Sequence, residues 1–206
     1  MPKPLSSLER PDKMLEVALP IEEWVNNYAY PCYYVDYKDR YFTFRPFFEQ
    51  VKPDSIGAEI GTFEGYNALG ICRYTQPKKL FLVDPYKVYE SSTDTKIWTQ
   101  GDWEKIYRRV KLKLKDYPVE FFRMTSEQAV KAVPNNELDY VYIDADHSFE
   151  AVLNDIKLWA PKVKTGGLIG GHDIIEPEVL EAVAIFVKDN PLIFNSKWND
   201  WWIKKT

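Results

Sequence analysis

From residue 56 onward, short apolar runs alternate with longer amphipathic stretches, and this alternation constrains the fold more than any other feature of the chain. Several runs end in glycine or aspartate. The runs are IGAEIG (56–61), KLFLVD (79–84), VEFFRM (119–124), LDYVYID (138–144) and GGLIGG (166–171). The stretches between and after them predict helices at residues 66–74, 103–115, 126–132, 149–159 and 177–188. Strands that alternate with helices in this way predict a mostly parallel sheet with crossover helices.

The last part of the chain departs from this alternation. Two strand-like runs, PLIFNSK (191–197) and WWIKK (201–205), are separated only by WND. Because a parallel crossover needs about a dozen residues, these two runs predict an antiparallel hairpin. The predicted fold is therefore α/β, with a seven-stranded mixed sheet that contains one reversed strand near its edge.

Residues 1–50 do not share the pattern and predict an N-terminal helical cap over the ligand-binding edge of a main domain at residues 51–206. Pro20 followed by IEEWVNNY predicts one helix, and FRPFFEQV (44–51) predicts a second. Aromatic residues crowd into residues 28–48. They either fill the seam between cap and sheet or line a substrate pocket, and the same segment could serve a homodimer contact.

Composition narrows the class of protein. With 206 residues, 45% of them hydrophobic, the chain can bury a full core. The net charge is -4, and acidic and basic residues are interspersed without a basic face, so we expect no nucleic-acid partner. No stretch approaches the roughly 18 apolar residues of a membrane span. Cys32 and Cys72 are far apart, which indicates neither a disulfide framework nor a zinc site, and we expect a reducing, cytoplasmic setting.

A glycine loop follows the first run of the main domain, in AEIGTFEGYNAL (58–69). Gly61 and Gly65 would let the chain turn tightly and bring backbone amides to a ligand. Asp84 ends the next strand, where doubly wound sheets bind the ribose of an adenosine ligand. The alternative is that these are only turn glycines and a strand-end acid. Glu59, inside the strand, would repel a pyrophosphate, so a cationic ligand such as S-adenosylmethionine fits better.

These segments, together with DYVYIDADHSFEAVLNDIKLW (139–159) and KTGGLIGGHDI (164–174), resemble class I S-adenosylmethionine-dependent methyltransferases, whose sheet is Rossmann-like. Within that superfamily the chain is similar to the small O-methyltransferases related to the catechol and caffeoyl-coenzyme A enzymes, and to methyltransferase family 24. The resemblance covers roughly residues 54–174 and agrees with the predicted reversed strand. It implies methylation of a small hydroxylated acceptor, with N-methylation left open.

The resemblance also implies a cofactor site. The residues that would surround the methionine part of the cofactor are Glu59, Gly61, Thr62 and Gly65. Asp84 would bind the ribose. Thr125 and Ser126, after the third strand, would lie near the adenine, although Ser126 could equally be the N-cap of the following helix.

Asp144 ends the fourth strand, at the edge where open α/β sheets place their ligands. In metal-dependent members of the resembled family, an aspartate here binds a divalent cation, and a lysine three residues later acts as general base. His147 stands at that later position, and histidine can accept a proton near neutral pH. The alternative is that His147 is an ordinary loop residue beside a helix cap at Ser148.

The second histidine, in GGHDI (170–174), stands where the metal-dependent relatives carry an Asp-Asn pair. The resemblance therefore implies a cation site at Asp144, His172 and Asp173. One imidazole with two carboxylates would accept Mg²⁺ but suits Mn²⁺, iron or zinc better. In the alternative, His172 hydrogen-bonds a backbone carbonyl and Asp173 only fixes the loop.

The loop after Asp84 carries candidate acceptor contacts at Tyr86, Tyr89 and Trp98, because loops at this edge of a sheet commonly determine specificity. The run RRVKLKLK (108–115) is interpreted as a solvated helix face, with an anionic partner as the alternative. Two other functions stay open. A nucleotide-dependent oxidoreductase is disfavoured by Glu59 and by Phe63 in place of a middle glycine, and a non-catalytic S-adenosylmethionine-binding protein would keep the pocket without transfer activity.

Overall fold

A computed structural model describes residues 34–37, 40–43, 45–88, 98–189 and 193–206. Its nine strands are β1 (Tyr34–Tyr37), β2 (Arg40–Thr43), β3 (Ile56–Ile60), β4 (Lys79–Val83), β5 (Val119–Phe122), β6 (Leu138–Ile143), β7 (Val163–Gly171), β8 (Ile193–Lys197) and β9 (Asp200–Lys204). Seven of them form one sheet in the order β5-β4-β3-β6-β7-β9-β8.

The sheet is mixed, as the sequence predicts. Strands β3 to β7 are parallel to one another, whereas β9 lies antiparallel between β7 and β8. The hairpin that joins β8 to β9 turns at Trp198 and Asn199. The predicted Rossmann-like α/β sheet with one reversed strand near its edge is therefore confirmed.

In the described ranges, five α-helices connect or flank these strands: α1 (Tyr66–Thr75), α2 (Gln100–Lys113), α3 (Ser126–Ala129), α4 (Phe149–Trp159) and α5 (Pro177–Asp189). Short 3-10 helices occur at Pro46–Gln50, Val130–Ala132 and Ala160–Lys162. All five predicted helices of the main domain are present within a few residues of their expected ends. Within the part of the chain that the structure describes, no helix is both long enough and apolar enough to cross a bilayer.

Two hydrophobic clusters cover the two faces of the sheet, because side chains alternate along each strand. Val141 and Ile143 of β6 face the cluster that contains α4 and α5. Tyr140 and Tyr142 face the other cluster, which contains α1 and α2. Val152, Ile156 and Trp159 form an apolar stripe on α4 that is buried in the first cluster.

The cap region differs from its prediction where the structure describes it. Strands β1 and β2 form an antiparallel pair, and FRPFFEQV contains a five-residue 3-10 helix instead of an α-helix. Aromatic and β-branched residues in YVDY and RYFT favour strands, which explains the hairpin. The helix predicted after Pro20 lies outside the described residues. Phe47 is fully buried against Tyr142, so this part of the predicted cap is packed into the core.

Candidate active site

Most of the residues predicted for the site lie at the carboxyl edge of the parallel strands. Gly61 follows β3, Asp84 follows β4, Asp144 follows β6 and His172 follows β7. Glu59 is inside β3. We call Glu59, Gly61, Thr62, Gly65 and Asp84 the glycine-loop site, and we call Asp144, His147, His172 and Asp173 the His–Asp cluster.

The glycine loop needs its glycines for two reasons. Gly61 and Gly65 have φ angles of 89° and 70°, which residues with a side chain rarely adopt. A Cβ atom at Gly61 would also lie 2.0 Å from the carbonyl oxygen of Asp144. The loop therefore touches the backbone of the His–Asp cluster, and the two parts of the site are direct neighbours.

Glu59 is fully buried beneath this loop. Its Oε1 accepts a hydrogen bond of 2.8 Å from Asn67 Nδ2, whereas Oε2 is buried and has no hydrogen-bond partner among the described residues. Burial raises the pKa of Glu59 to about 8, although the Asn67 hydrogen bond acts in the opposite direction. A buried carboxyl oxygen without a donor is unusual in a folded protein, so Oε2 is a candidate acceptor for a hydrogen bond from a ligand.

Asp84 holds the glycine loop against the end of β4. Its Oδ2 accepts a hydrogen bond of 2.8 Å from the Phe63 amide, and its Oδ1 accepts one of 2.7 Å from the Tyr86 amide. Burial raises the pKa of Asp84, and these backbone hydrogen bonds oppose the shift. The side chain therefore has a structural task in addition to its predicted contact with a ribose, which remains a prediction.

The candidate acceptor contacts in the loop after Asp84 have different outcomes. Tyr86 is buried against Trp103 and Tyr107, so it is not open to an acceptor in this structure. Tyr89 lies outside the described residues. Trp98 is partly buried and packs edge to face on Phe63 of the glycine loop, with ring centroids 6.1 Å apart.

The segment predicted to lie near an adenine has a structural role. Thr125, not Ser126, is the N-cap residue of α3, so the alternative that placed the cap at Ser126 is wrong. The Ser126 hydroxyl instead donates to Asp155 and accepts a hydrogen bond of 2.8 Å from Trp159 Nε1. These partners lie on α4, and adenine contact stays a prediction for both Thr125 and Ser126.

In the His–Asp cluster, Asp144, His147 and Asp173 offer ligand atoms that all lie within 4.8 Å of one another, as a cation site requires. His147 Nε2 is 3.2 Å from Asp173 Oδ2 and 3.8 Å from Asp144 Oδ1. The Asp144 carboxylate, aided by the charges of Asp173 and Glu176, raises the pKa of His147 to about 9 against the effect of burial. His147 therefore carries a proton at neutral pH in the ligand-free protein.

His172 is engaged differently from its prediction. Its Nδ1 lies 2.8 Å from Asp173 Oδ1, and its Nε2 is hydrogen-bonded by Arg45 Nη1. Both ring nitrogens are thus used within the protein, and the geometry supports His147 instead of His172 as the imidazole beside Asp144 and Asp173. The alternative of a backbone-carbonyl partner for the His172 ring also differs from these two contacts.

Asp173 links the two histidines, and Asn199 Nδ2 donates a further hydrogen bond of 2.7 Å to its Oδ1. Burial acts to raise the pKa of Asp173. The hydrogen bond from His172 and the charges of His147 and Arg45 outweigh that effect and hold the pKa below its usual value.

Arg45 is a site residue that was not predicted from the sequence; it lies just before the first 3-10 helix and is only 6% exposed. Its Nε donates to Asn67 Oδ1 at 3.3 Å, and its Nη2 lies 3.8 Å from Asp144 Oδ2. The signal that could have pointed to it is a single arginine within the aromatic stretch FTFRPFF (42–48), where burial was expected.

This fold and this site together define a Rossmann-like α/β domain of the class I methyltransferase architecture. Residues 58–174, more than half of the chain, match the family described as a methyltransferase domain. The chain therefore belongs to methyltransferase family 24. It is also similar to uncharacterized protein R132 of Acanthamoeba polyphaga mimivirus, with 28% identity over 146 residues. That match covers 67% of this chain and 62% of the relative, so the chain spans less than two thirds of the relative's length.

Solved structures with a similar fold carry different activities in their names. The O-methyltransferase NovP is 19% identical, with 77% of this chain and 74% of that chain covered at a TM-score of 0.54. The methyltransferase PaMTH1 of Podospora anserina, bound to S-adenosylhomocysteine, is 12% identical, with 74% and 72% covered at 0.54. Precorrin 8w decarboxylase of Methanobacterium thermoautotrophicum is 12% identical, with 75% and 82% covered at 0.51. At these identities the likeness concerns the fold alone.

Proposed function

We propose that this protein is an S-adenosylmethionine-dependent methyltransferase that methylates a hydroxyl group of a small acceptor. The observation that carries the proposal is Glu59, whose Oε2 is buried, with no hydrogen-bond partner among the residues that the structure describes, beside a glycine loop that touches Asp144. A buried acid suits the ammonium group of the methionine part of the cofactor and not a pyrophosphate. The family supports the same donor, and the cofactor of PaMTH1 agrees with it.

In the proposed reaction, the acceptor oxygen forms a bond to the methyl carbon while the carbon–sulfur bond breaks. The electron pair of that bond goes to the sulfur, which loses its positive charge, and the hydroxyl proton goes to a base. Such an in-line displacement mainly requires positioning of the two reactants. The contact between Gly61 and Asp144 supports this arrangement, because the proposed donor and acceptor sites lie on either side of it.

His147 is the proposed base and Asp144 its partner. Because the pKa of His147 is about 9, the imidazole is protonated in the ligand-free protein. It must lose that proton before it can accept the proton of the acceptor hydroxyl. A divalent cation at Asp144 and Asp173 would neutralise the carboxylates that raise this pKa, and it would also orient the acceptor oxygen.

A second role for His147 is supported by the same geometry. Its Nε2 is one of the three ligand atoms within 4.8 Å, so the imidazole suits a third cation ligand as well as a base. One nitrogen cannot do both at once. The donor set of two carboxylates and one imidazole suits Mn²⁺ better than Mg²⁺.

Calorimetry with S-adenosylhomocysteine tests the proposed cofactor. The wild type is expected to bind, and Asp84→Asn is expected to weaken binding about tenfold because the loop amides of Phe63 and Tyr86 lose a charged acceptor. Asp139→Asn is the matched control. The Asp139 carboxylate also accepts a backbone hydrogen bond, of 2.7 Å from the Ile56 amide, but it lies near the amino end of β6, at the opposite edge of the sheet. If the wild type does not bind S-adenosylhomocysteine, the proposed function is refuted.

Methyl transfer from labelled S-adenosylmethionine to a panel of small phenols and alcohols tests the reaction. Transfer to hydroxyl acceptors is expected, with a strong loss in His147→Gln. Transfer only to amines would contradict O-methylation. Tight binding without turnover on any acceptor would favour a non-catalytic binding protein, and binding of NAD without S-adenosylhomocysteine would favour an oxidoreductase.

A further inference from the structure

Arg45 lies between the glycine-loop site and the His–Asp cluster, although it precedes the residues that match the family. Its place is fixed by the 3-10 helix that follows it. The Phe47 amide donates a hydrogen bond of 3.0 Å to Asp200 Oδ2, and the Phe47 ring packs on Tyr142 with centroids 5.1 Å apart. A Cβ atom at Gly170 would lie 2.5 Å from that ring. The backbone next to Arg45 is therefore anchored in the core.

The three nitrogens of the Arg45 guanidinium face three different elements. Nε donates to Asn67 on α1, Nη1 donates to His172 after β7, and Nη2 approaches Asp144 after β6. A buried guanidinium is tolerated only when opposite charges and hydrogen-bond acceptors surround it. Among the described residues, Asp144 lies 3.8 Å from the guanidinium, and the Arg45 charge also acts on Asp173 and Asp200.

We propose that Arg45 is a positioning residue that connects the two parts of the site, and its role in methyl transfer rests on the proposed function. The first connection runs through His172. Because Arg45 Nη1 donates to Nε2, that nitrogen has no proton of its own, and the ring proton lies on Nδ1. His172 therefore donates to Asp173 Oδ1.

The direction of the Asp173 carboxylate follows from this contact. Its Oδ1 accepts from both His172 and Asn199, and its Oδ2 is left to face His147 at 3.2 Å. Loss of Arg45 would free His172 to place its proton on either nitrogen and would remove one constraint on Asp173. Arg45 thus fixes which carboxylate oxygen is offered to His147 or to a cation.

The second connection runs through Asn67. Arg45 Nε donates to Asn67 Oδ1, which fixes the amide so that Nδ2 donates to Glu59 Oε1. Glu59 Oε2 is then the oxygen that no described residue hydrogen-bonds. One side chain outside the matched segment therefore orients an acid in each part of the site.

The chain has only two histidines, so NMR of protein labelled with ¹⁵N in histidine gives a direct test. In the ligand-free wild type at neutral pH, we expect His172 to show a protonated Nδ1 and an unprotonated Nε2. The His172 signals are identified by their persistence in His147→Gln. A wild-type His172 with its proton on Nε2 would overturn the proposal, and this result does not depend on how any Arg45 variant folds.

Arg45→Met is expected to change the His172 signals to those of a mixture of tautomers, and Arg45→Lys is expected to restore the wild-type form in part. The matched control is Arg73→Met, because Arg73 lies on α1 and donates to the Tyr117 hydroxyl at 3.3 Å, away from the site. It should leave both histidines unchanged. Identical His172 signals in Arg45→Met and the wild type would contradict the connection to the His–Asp cluster.

Calorimetry with S-adenosylhomocysteine tests the connection to the glycine-loop site. Arg45→Met is expected to lower the affinity about tenfold, as for loss of a hydrogen bond that involves a charged group, and Arg45→Lys is expected to recover part of it. Wild-type affinity in Arg45→Met would overturn this connection. If the wild type itself does not bind, the proposed function fails, whereas the NMR result still decides how Arg45 orients His172.

Discussion

The glycine-loop site and the His–Asp cluster are neighbours, but they are held in different ways. Glu59 and Asp84 are 0% and 8% exposed, and hydrogen bonds from backbone amides and Asn67 hold them. The side chains of His147 and Asp144 are 34% and 21% exposed and are held by contacts between charged groups. The first site is thus fixed by burial and backbone shape. The second depends on a balance of charges that a bound ligand can change.

The largest effect is expected where the two sites touch. Gly61→Ala would place a methyl group 2.0 Å from the Asp144 carbonyl oxygen and would strain a backbone with φ of 89°. We expect loss of measurable S-adenosylhomocysteine binding and a fall of about 3 kcal/mol or more in the free energy of unfolding. Calorimetry and urea denaturation measure the two effects.

Gly166→Ala is the matched control for Gly61→Ala. Gly166 has a similar φ of 81°, but a Cβ atom there meets nothing within 4 Å. The control should cost only about 1–2 kcal/mol of stability, from backbone strain, and should keep the affinity for S-adenosylhomocysteine. Equal effects of the two substitutions would show that contact between the sites is unimportant.

The next effect concerns the buried acid of the glycine-loop site. The pKa of Glu59 is about 8 in the folded protein and about 4.5 in the unfolded chain, so the folded state keeps a proton that the unfolded state loses between these pH values. Stability therefore falls as pH rises through that window, by on the order of 5 kcal/mol. Glu59→Gln should remove this fall while weakening S-adenosylhomocysteine binding about tenfold.

Urea denaturation from pH 4 to pH 9 measures the difference between Glu59→Gln and the wild type at each pH. The comparison must be made at equal pH, because the raised pKa of His147 adds its own loss of stability as pH rises toward 9. Glu120→Gln is the exposed control on β5, where Glu120 pairs with Lys79 at 2.6 Å. It should change stability by less than about 1 kcal/mol. If the free energy of unfolding of Glu59→Gln changes with pH in parallel with that of the wild type, the expectation is refuted.

A third prediction separates the two histidines of the His–Asp cluster. If His147 is a cation ligand, His147→Gln should lower Mn²⁺ affinity about a hundredfold, whereas His172→Gln, which only removes support from Asp173, should lower it about tenfold. Titration calorimetry with Mn²⁺ measures both. The reverse order would favour the site predicted from the sequence, at Asp144, His172 and Asp173. If the wild type does not bind Mn²⁺, the proposed cation site is refuted, and the proposed role of His147 as base remains.

The smallest effect on ligand binding is expected at Ser126. Ser126→Ala removes the hydroxyl between Asp155 and Trp159 and should cost about 2 kcal/mol of stability, with less than about a twofold change in S-adenosylhomocysteine affinity. Ser55→Ala is the control, because its buried hydroxyl has no hydrogen-bond partner among the described residues and its loss should be nearly neutral. A large loss of affinity in Ser126→Ala would instead support the predicted adenine contact.

Much of the fold was predictable because each element is signalled locally. Apolar runs that end in glycine or aspartate marked β3 to β7, and the three residues between the last two runs required a hairpin. The pair β1–β2 was missed because its short strands lie in an aromatic-rich stretch outside the alternation of apolar runs and helices that marked the other strands. Short strands of this kind have no periodicity that distinguishes them from a cap.

The glycine loop, the acid at Asp84 and the position of Asp144 at the strand edge follow from the sequence alone, because each lies at a fixed place in its own strand–turn–helix unit. Which histidine lies beside Asp144 and Asp173, and that Arg45 contacts residues of both sites, became evident only in the folded protein. Those contacts join side chains from the segments after β6 and β7, from α1 and from the segment before the first 3-10 helix. Their directions depend on how the elements pack, and a linear pattern carries no record of that packing.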